Sequence, residues 1–233
     1  MSESPVALIT GGGSGIGAAT ARQLLAQGHR VTVTGRGKER LDEFAASVGN
    51  PAELMTAPGD AADWDAVSAA VSSTVARFGR LDVAVANAGY ATFDDIETGD
   101  PAGWHGMVLT NVLGPALLIR ASLAELKKTK GRLVLIGSVA GVVYSPGNIY
   151  GATKWAVTGM AENTRRQVTD DGVGVTLVNP SATLTNFFDG GDGVPDRAMM
   201  TADQIANAIV FAINQPHGVD VNTLTIRPQP TPL

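Results

Sequence analysis

An apolar strand that leads at once into a glycine-rich turn and a helix is the strongest constraint on this chain. Residues 6–10 read Val-Ala-Leu-Ile-Thr, Gly11, Gly15 and Gly17 follow, and a helical pattern runs over 15–27. Glycine lets the backbone approach a pyrophosphate, and the helix N-terminus attracts its charge. This order predicts a dinucleotide site. The glycine spacing is not the usual G-x-G-x-x-G, so a simple flexible turn is the alternative.

The rest of the chain alternates strand and helix patterns. Strands are predicted at 5–10, 30–35, 53–57, 81–86, 131–137, 173–179 and 220–227. Helices are predicted at 15–27, 38–48, 61–78, 101–128, 148–170 and 201–214. Several strands are apolar nearly throughout, as expected when helices cover both faces of a parallel sheet. The sequence therefore predicts an α/β fold: a doubly wound, seven-stranded parallel sheet of Rossmann type, in one domain over 1–233.

Composition narrows the classes of function. The chain has 233 residues, no cysteine and a net charge of −5. Thiol catalysis and disulfides are thereby excluded, and a reducing cytoplasm is the expected location. The charge argues against a nucleic-acid partner. The acidic N-terminus enters a strand at once, unlike a signal peptide, and no apolar run approaches the roughly 20 residues of a membrane helix.

Metal binding is not predicted. The three histidines are scattered without ligand spacing: His29, His105 and His217. Three aspartates lie among glycines: Asp189, Asp192 and Asp196. Their spacing does not fit a calcium-binding EF-hand loop. Because glycine lowers the cost of backbone motion, we interpret about 182–200 as a substrate loop or lid.

Tyr150 and Lys154 carry the strongest chemical signal. On a helix, residues four apart share one face, so an ammonium group can lie beside a phenol. A neighbouring positive charge favours the phenolate and is expected to lower the tyrosine pKa toward neutrality. Four polar residues fall at predicted strand ends, where ligands bind in such sheets: Thr10, Asn87, Ser138 and Asn179.

Taken together, these motifs resemble the short-chain dehydrogenase/reductase family, in its compact single-domain branch. The matching residues are Thr10, Gly11, Gly15, Gly17, Asp60, Asn87, Ala88, Gly89, Asn111, Ser138, Tyr150 and Lys154. The resemblance implies an oxidoreductase that interconverts a small carbonyl compound and its alcohol by hydride transfer. Two alternatives are a carrier-protein-dependent 3-oxoacyl reductase and a non-catalytic dinucleotide sensor.

The resemblance also implies catalytic roles. Tyr150 would be the proton donor or acceptor, and Lys154 would lower its pKa and bind the nicotinamide ribose. Ser138 would hold the carbonyl oxygen. Asn111 would kink its helix and hold a water that links Lys154 to solvent. Taken singly, Ser138 could cap a turn, Asn111 could be an ordinary helix residue, and Tyr150 could lie on the surface.

A further set of residues would bind the cofactor. The pyrophosphate would lie against Gly11, Ser14, Gly15, Ile16 and Gly17. Asp60 would bind adenine, although it could also be the N-cap of helix 61–78. Asn87, with Ala88 and Gly89, would lie by the adenosine ribose. Pro180, Thr183 and Thr185 fit the stretch that contacts the carboxamide, where Ser181 replaces the family's usual glycine. Ala86 replaces a common asparagine.

Cofactor choice is predicted from the end of the second strand. NAD-preferring folds usually place an acid there, whereas here Gly35 is followed by Arg36 and no acid occurs between Gly17 and Glu39. Guanidinium binds a phosphate through paired hydrogen bonds, so the sequence favours NADP(H) over NAD(H). Alternatively, Arg36 caps a loop or contacts adenine.

Two other surfaces are notable. The basic run Lys127, Lys128, Lys130 and Arg132 complements a helix C-terminus, or could dock an acidic carrier protein. Relatives form tetramers through helices equivalent to 101–128 and 148–170 and the last strand. Val108, Val112, Leu113, Ala116 and Leu117 offer more apolar surface than one stripe needs, so a homotetramer (or dimer) is expected, with core packing as the alternative.

Overall fold

The computed structural model describes residues 4–144, 146–188 and 198–230. Its strands are β1 Val6–Thr10, β2 Arg30–Gly35, β3 Leu54–Pro58, β4 Val83–Ala86, β5 Arg132–Ile136, β6 Gly174–Pro180, β7 Thr183–Leu184, β8 Met200–Thr201 and β9 Thr223–Ile226. Its α-helices are α1 Gly15–Ala26, α2 Lys38–Ser47, α3 Trp64–Phe78, α4 Pro101–Val108, α5 Gly114–Thr129, α6 Ile149–Val168 and α7 Ala202–Ile213.

Seven strands form one parallel sheet in the order β3-β2-β1-β4-β5-β6-β9. The chain builds outward from β1 in one direction and then, starting at β4, in the other. The strand order therefore reverses between β1 and β4, and the carboxyl ends of these two strands open into a crevice. The doubly wound fold predicted from the sequence is confirmed.

The sheet is buried on both faces because successive side chains of a strand point to opposite sides. In β1, Val6 and Leu8 belong to a core cluster with side chains of α3, α5 and α6, whereas Ala7 and Ile9 belong to a second cluster with side chains of α1, α2 and α7. All four residues are almost inaccessible to solvent. The near-continuous apolar strands of the sequence follow from this double coverage.

The helix predicted at 61–78 begins later, at Trp64. Asp63 is its N-cap, and Asp63 Oδ1 accepts a hydrogen bond of 2.7 Å from the Ala66 N–H. The alternative that Asp60 caps this helix is therefore wrong. Asp60 Oδ1 accepts instead from the Ala62 N–H at 2.9 Å, which forms a tight turn before the helix starts.

The helix predicted at 101–128 consists of α4, a π-helical turn Leu109–Leu113 and α5. Together, Pro101–Thr129 reach the length and mean hydropathy of a membrane span, which the sequence analysis had set aside. In the fold, Leu118 and Leu126 of this helix are fully buried in the core beside β4 and β5. Its apolar character is thus explained by packing against the sheet.

A second, two-stranded sheet was not predicted. β7 and β8 pair in parallel, so that Thr183 lies beside Met200 at the two ends of the segment interpreted as a lid. Residues 189–197, with Asp189, Asp192 and Asp196, lie outside the described residues. The lid role of 182–200 stays a prediction.

Candidate active site

A cavity of about 1010 Å³ opens at the carboxyl ends of the central strands. The predicted site residues that line it are Gly11, Ser14, Gly15, Ile16, Arg36, Asp60, Asn87, Ala88, Gly89, Ser138, Tyr150, Lys154, Pro180, Thr183 and Thr185. The other two, Gly17 and Asn111, are buried behind these residues. The fold thus brings residues from the whole length of the chain to one site of a size that suits a large ligand.

The turn after β1 is shaped for close approach to a ligand. Gly11 and Gly15 have φ of +64° and +52°, a backbone region that strongly favours glycine. A side chain at Gly17 would collide with the Gly11 carbonyl oxygen. α1 then begins without a side-chain cap on its first N–H groups, since the hydroxyl of its N-cap Ser14 makes no such bond. These free donors face the cavity and suit an anion.

Asn87 and Thr10 fasten this turn to the end of β4. Asn87 Nδ2 donates to the carbonyl oxygens of Thr10 and Gly11, at 2.9 and 3.1 Å. In return, the Thr10 hydroxyl accepts from the N–H groups of Asn87 and Ala88, both at 3.1 Å. The Asn87 amide group is therefore engaged by the backbone, and only its remaining surface meets the cavity.

The segment after β6 closes over the glycine turn. A Cβ placed on Gly15 would lie 3.3 Å from Thr185 Cβ, so the two residues are in close contact. Ser181, where the family usually has glycine, donates its N–H to Ile226 O at 2.9 Å. Among the described non-glycine residues, φ is positive at Asn50, Phe93 and Lys130, so Ser181 fits without left-handed backbone.

Arg36 follows β2 and is exposed at the far end of the cavity. Within the described part of the chain its guanidinium makes no ion pair, whereas nearby Lys38 is paired with Asp42. Arg40, in the first turn of α2, also lines the cavity and was missed by the sequence analysis. Its place in the first turn of the helix that follows β2 was the signal that could have found it.

Ser138, Tyr150 and Lys154 converge at the other end of the cavity. Ser138 hydrogen-bonds to the Tyr150 hydroxyl. Lys154 Nζ lies 5.7 Å from the centroid of the Tyr150 ring, as the four-residue spacing predicted. Lys154 Nζ also donates to the Ile136 carbonyl oxygen at 2.8 Å. Gly89 is packed beside it, where a Cβ would lie 3.6 Å from Nζ.

Asn111 lies in the π-helical turn between α4 and α5, in agreement with the helix distortion expected at this residue. Its Nδ2 donates to Tyr90 O at 2.8 Å and to Thr153 Oγ1 at 3.1 Å, and its Oδ1 accepts from Tyr90 N–H at 3.0 Å. A π turn breaks the regular helical hydrogen bonding. Its role in a proton path stays a prediction.

The family model for short chain dehydrogenases matches residues 5–190. An uncharacterized oxidoreductase of Staphylococcus epidermidis is 32% identical over 225 residues, which are 96% of each chain. The chain belongs to the short chain dehydrogenase family. It is therefore an oxidoreductase by family.

Solved structures of the family superpose over nearly the whole chain. An alcohol dehydrogenase from the archaeon Thermococcus sibiricus, complexed with 5-hydroxy-NADP, gives a TM-score of 0.91 at 28% identity over 99% of both chains. The closed form of a serine dehydrogenase complexed with NADP+ gives 0.91 at 30% identity, over 98% of this chain and 96% of the other. The Rossmann-type architecture is thus shared with these dehydrogenases.

Asn179 is a buried polar residue behind the cavity that sequence reasoning placed only at a strand end. It is wholly inaccessible to solvent, and its Oδ1 accepts from the Ser138 N–H at 3.2 Å. Its Nδ2 has no hydrogen-bond partner among the described residues. Gly137 is required beside it, because a Cβ there would collide with Oδ1. Asn179 therefore fixes the backbone that carries Ser138.

Burial, rather than Lys154, dominates the pKa of Tyr150. Burial raises the pKa of Tyr150 to about 12, and the hydrogen bond to Ser138 offsets only part of the rise. Burial also lowers the pKa of Lys154 to about 8. The expectation that Lys154 draws Tyr150 toward neutrality is thus not met, since the ammonium itself is destabilised and is directed to Ile136 O.

No group of three or more histidines, aspartates or glutamates that could hold a metal ion occurs among the described residues.

The depressed pKa of Lys154 predicts a pH dependence of stability. Above about pH 8 the folded protein releases the Lys154 proton, while the unfolded chain holds it up to the ordinary lysine pKa of 10.5. The unfolded state then binds more protons, so the free energy of unfolding gains a contribution that rises with pH in this window. Below about pH 8 both states are protonated and the contribution is constant.

Urea unfolding of the unmodified protein and of Lys154→Met at pH 7, 8.5 and 10 measures this contribution. The difference in free energy of unfolding between the two proteins should shift in favour of the unmodified protein as pH rises, because other titrating groups largely cancel. A difference that is constant from pH 7 to 10 contradicts the lowered pKa of Lys154.

Proposed function

We propose that this protein is an NADP(H)-dependent oxidoreductase that interconverts a small ketone or aldehyde and its alcohol. The observation that carries the proposal is the hydrogen-bonded pair Ser138–Tyr150, with Lys154 beside it, in the same cavity as a glycine turn and an uncapped helix N-terminus. A bound nicotinamide would supply or accept the hydride.

Tyr150 is the proposed proton donor for reduction. A pKa of about 12 keeps its hydroxyl protonated at neutral pH, so it can protonate the oxygen of the carbonyl as that oxygen gains charge. Ser138 is proposed to donate a second hydrogen bond to the same oxygen. The Asn179–Ser138 bond positions this donor. In the alcohol-to-carbonyl direction, Tyr150 would act as the phenolate, whose formation the hydrogen bond with Ser138 favours.

Lys154 and Asn111 are proposed to form part of a proton path that connects the reacting hydroxyl to solvent. Lys154 holds its ammonium through Ile136 O, close to Gly89, and would bind the ribose of the cofactor. Asn111 fixes Tyr90 and Thr153 around the π turn. Water held at this turn would link Lys154 to solvent.

Arg36 supports NADP(H) as the cofactor. Its unpaired guanidinium faces the cavity at the end of β2, with Arg40 nearby, where a 2′-phosphate would bring two negative charges. Both solved dehydrogenase structures named above hold an NADP-type ligand. Asp60, next to this end, retains one carboxylate oxygen that is not used by Ala62 and would meet the adenine.

The carrier-protein alternative is not favoured, because side chains of the basic run are engaged in ion pairs and hydrogen bonds within the protein. Lys127 pairs with Asp171 and Lys128 with Glu125, each at 2.7 Å. Arg132 is buried and donates to the carbonyl oxygens of Gln215, Pro216 and Val219. A non-catalytic sensor would have no use for the Ser138–Tyr150 pair.

We place the enzyme in the cytoplasm, since it has no cysteine and uses a cofactor of that compartment.

Replacing Tyr150 tests the chemistry. Tyr150→Phe should reduce turnover at least about a thousandfold, because it removes the proton donor, while the dissociation constant for NADPH changes little. Lys154→Ala should impair both turnover and NADPH binding. Absorbance of the nicotinamide gives the rate, and a fluorescence titration gives the affinity. Near-normal turnover by Tyr150→Phe would refute the assignment of Tyr150 as the proton donor.

Replacing Arg36 tests the cofactor. Loss of a paired, charged hydrogen bond costs about 1.5–3 kcal/mol, so Arg36→Ala should weaken NADPH binding at least about tenfold and leave NADH binding unchanged. Lys38→Ala is the matched control, because that lysine is exposed and paired with Asp42. Equal dissociation constants for NADH and NADPH in the unmodified protein would overturn the preference.

We also propose a homotetramer. Val108 and Leu113 on the outer side of α4–α5, and Trp155 on α6, expose 43%, 40% and 37% of their surface. Light scattering at micromolar concentration should give about four times the chain mass of 23.9 kDa. Leu113→Glu should lower that mass by placing charge in the interface. A monomeric unmodified protein would end this proposal.

A further inference from the structure

Four aromatic rings, those of Tyr150 and three phenylalanines, form one wall of the cavity. Phe187 meets the Tyr150 ring edge to face, with centroids 5.5 Å apart. Phe93 meets Phe187 in the same manner at 5.4 Å and stacks on Phe188 at 5.7 Å. All four residues, which we call the aromatic wall, line the cavity. They come from three separate segments, so the fold assembles them beside the reacting hydroxyl.

Phe93 is presented to the cavity against its local preference. Its φ of +60° is rare for a bulky residue, and 45% of its surface is exposed. The next residue, Asp94, holds this backbone: its carboxylate accepts hydrogen bonds from the Thr92 hydroxyl and, at 3.0 Å, from Trp104 Nε1. An exposed ring that is held in a strained backbone beside a reactive group indicates a contact surface for a ligand.

Most charged side chains of the cavity lie at the end away from Tyr150. In the described part of the cavity, Arg36, Arg40 and Asp60 follow β2 and β3, whereas Tyr150 and Ser138 follow β5. Three strand spacings, about 14 Å, separate β2 from β5. The charged lining residue near Tyr150 is Lys154, whose Nζ already donates to Ile136 O. Among the described lining residues, a carboxylate next to the substrate carbonyl would thus meet no free cation.

We propose that the substrate is an uncharged carbonyl compound with an aryl group on the carbonyl carbon, or the corresponding alcohol. The proposal rests on the proposed function and narrows its substrate class. An aryl ring can pack against the edges and faces of Phe93 and Phe187 while its carbonyl oxygen reaches the hydroxyls of Tyr150 and Ser138. Hydride from NADPH would add to the carbonyl carbon and the Tyr150 proton to the oxygen, which gives a benzylic alcohol: secondary from a ketone, primary from an aldehyde. Hydroxy acids, by contrast, are disfavoured.

Reduction of three related compounds with NADPH tests the class: phenyl methyl ketone, cyclohexyl methyl ketone and phenylglyoxylate. The first should exceed phenylglyoxylate in kcat/KM at least about a hundredfold, although the oxo acid is the more electrophilic carbonyl. Equal or better reduction of the oxo acid would overturn the proposal.

Phe93→Leu tests the ring contact itself. The variant keeps an apolar side chain but loses the ring, so the ratio of kcat/KM for the phenyl over the cyclohexyl ketone should fall about fivefold. The intrinsic reactivities of the two ketones cancel when this ratio is compared between the variant and the unmodified protein. The matched control is Phe211→Leu, an exposed phenylalanine on α7 outside the cavity lining, which should leave the ratio unchanged. A ratio that Phe93→Leu does not change would contradict the aryl contact.

Calorimetric titration of the complex with NADP+ separates this proposal from the proposed function, and it does not depend on the variant. 1-Phenylethanol should bind and mandelate should not. If 1-phenylethanol binds but no carbonyl compound is reduced, the proposed function fails and the aryl site stands. If oxo acids or short alkyl ketones are reduced while 1-phenylethanol does not bind, the oxidoreductase function stands and the aryl proposal is wrong.

Discussion

The hydrogen bonds between the ends of β1 and β4 are the interaction on which the site depends. Asn87 binds the carbonyl oxygens of Thr10 and Gly11, and the Thr10 hydroxyl binds the backbone of Asn87 and Ala88. These two strands flank the point where the strand order reverses, so no crossover helix covers the gap above them. Without this connection the glycine turn would have no fixed position relative to the strands that lead to the proposed catalytic groups.

Burial holds the proposed catalytic groups in place and also shifts the pKa values of Tyr150 and Lys154. Lys154, Asn111 and Asn179 are 5%, 1% and 0% exposed, and each makes hydrogen bonds to backbone groups of neighbouring elements. Buried polar groups need such partners, which also fix their orientation. The consequence is that Tyr150 is protonated and Lys154 is only weakly basic at neutral pH, an arrangement suited to protonating a carbonyl.

Several site properties could not be obtained from the sequence because they depend on distant contacts. Lys154 was expected to set the Tyr150 pKa, yet burial is the main cause of its shift, and burial lowers the pKa of Lys154 as well. Asp60 and Asp63 are equally plausible helix caps from their residue types, and only the path of the backbone decides for Asp63. In the aromatic wall, Phe93 contacts Phe187, which is nearly a hundred residues away in the chain. No local sequence pattern predicts such a contact.

The sequence by itself determined the order of elements, the parallel sheet, the glycine turn after β1 and the helical pairing of Tyr150 with Lys154. These depend on period, residue type and spacing along the chain, which are local properties. Tertiary structure alone decided which polar groups share hydrogen bonds at the strand ends, how deeply Tyr150 and Lys154 are buried, and what surrounds the reacting hydroxyl. The physical reason is that desolvation and hydrogen bonding depend on every atom packed around a group, and those atoms come from segments far apart in the chain.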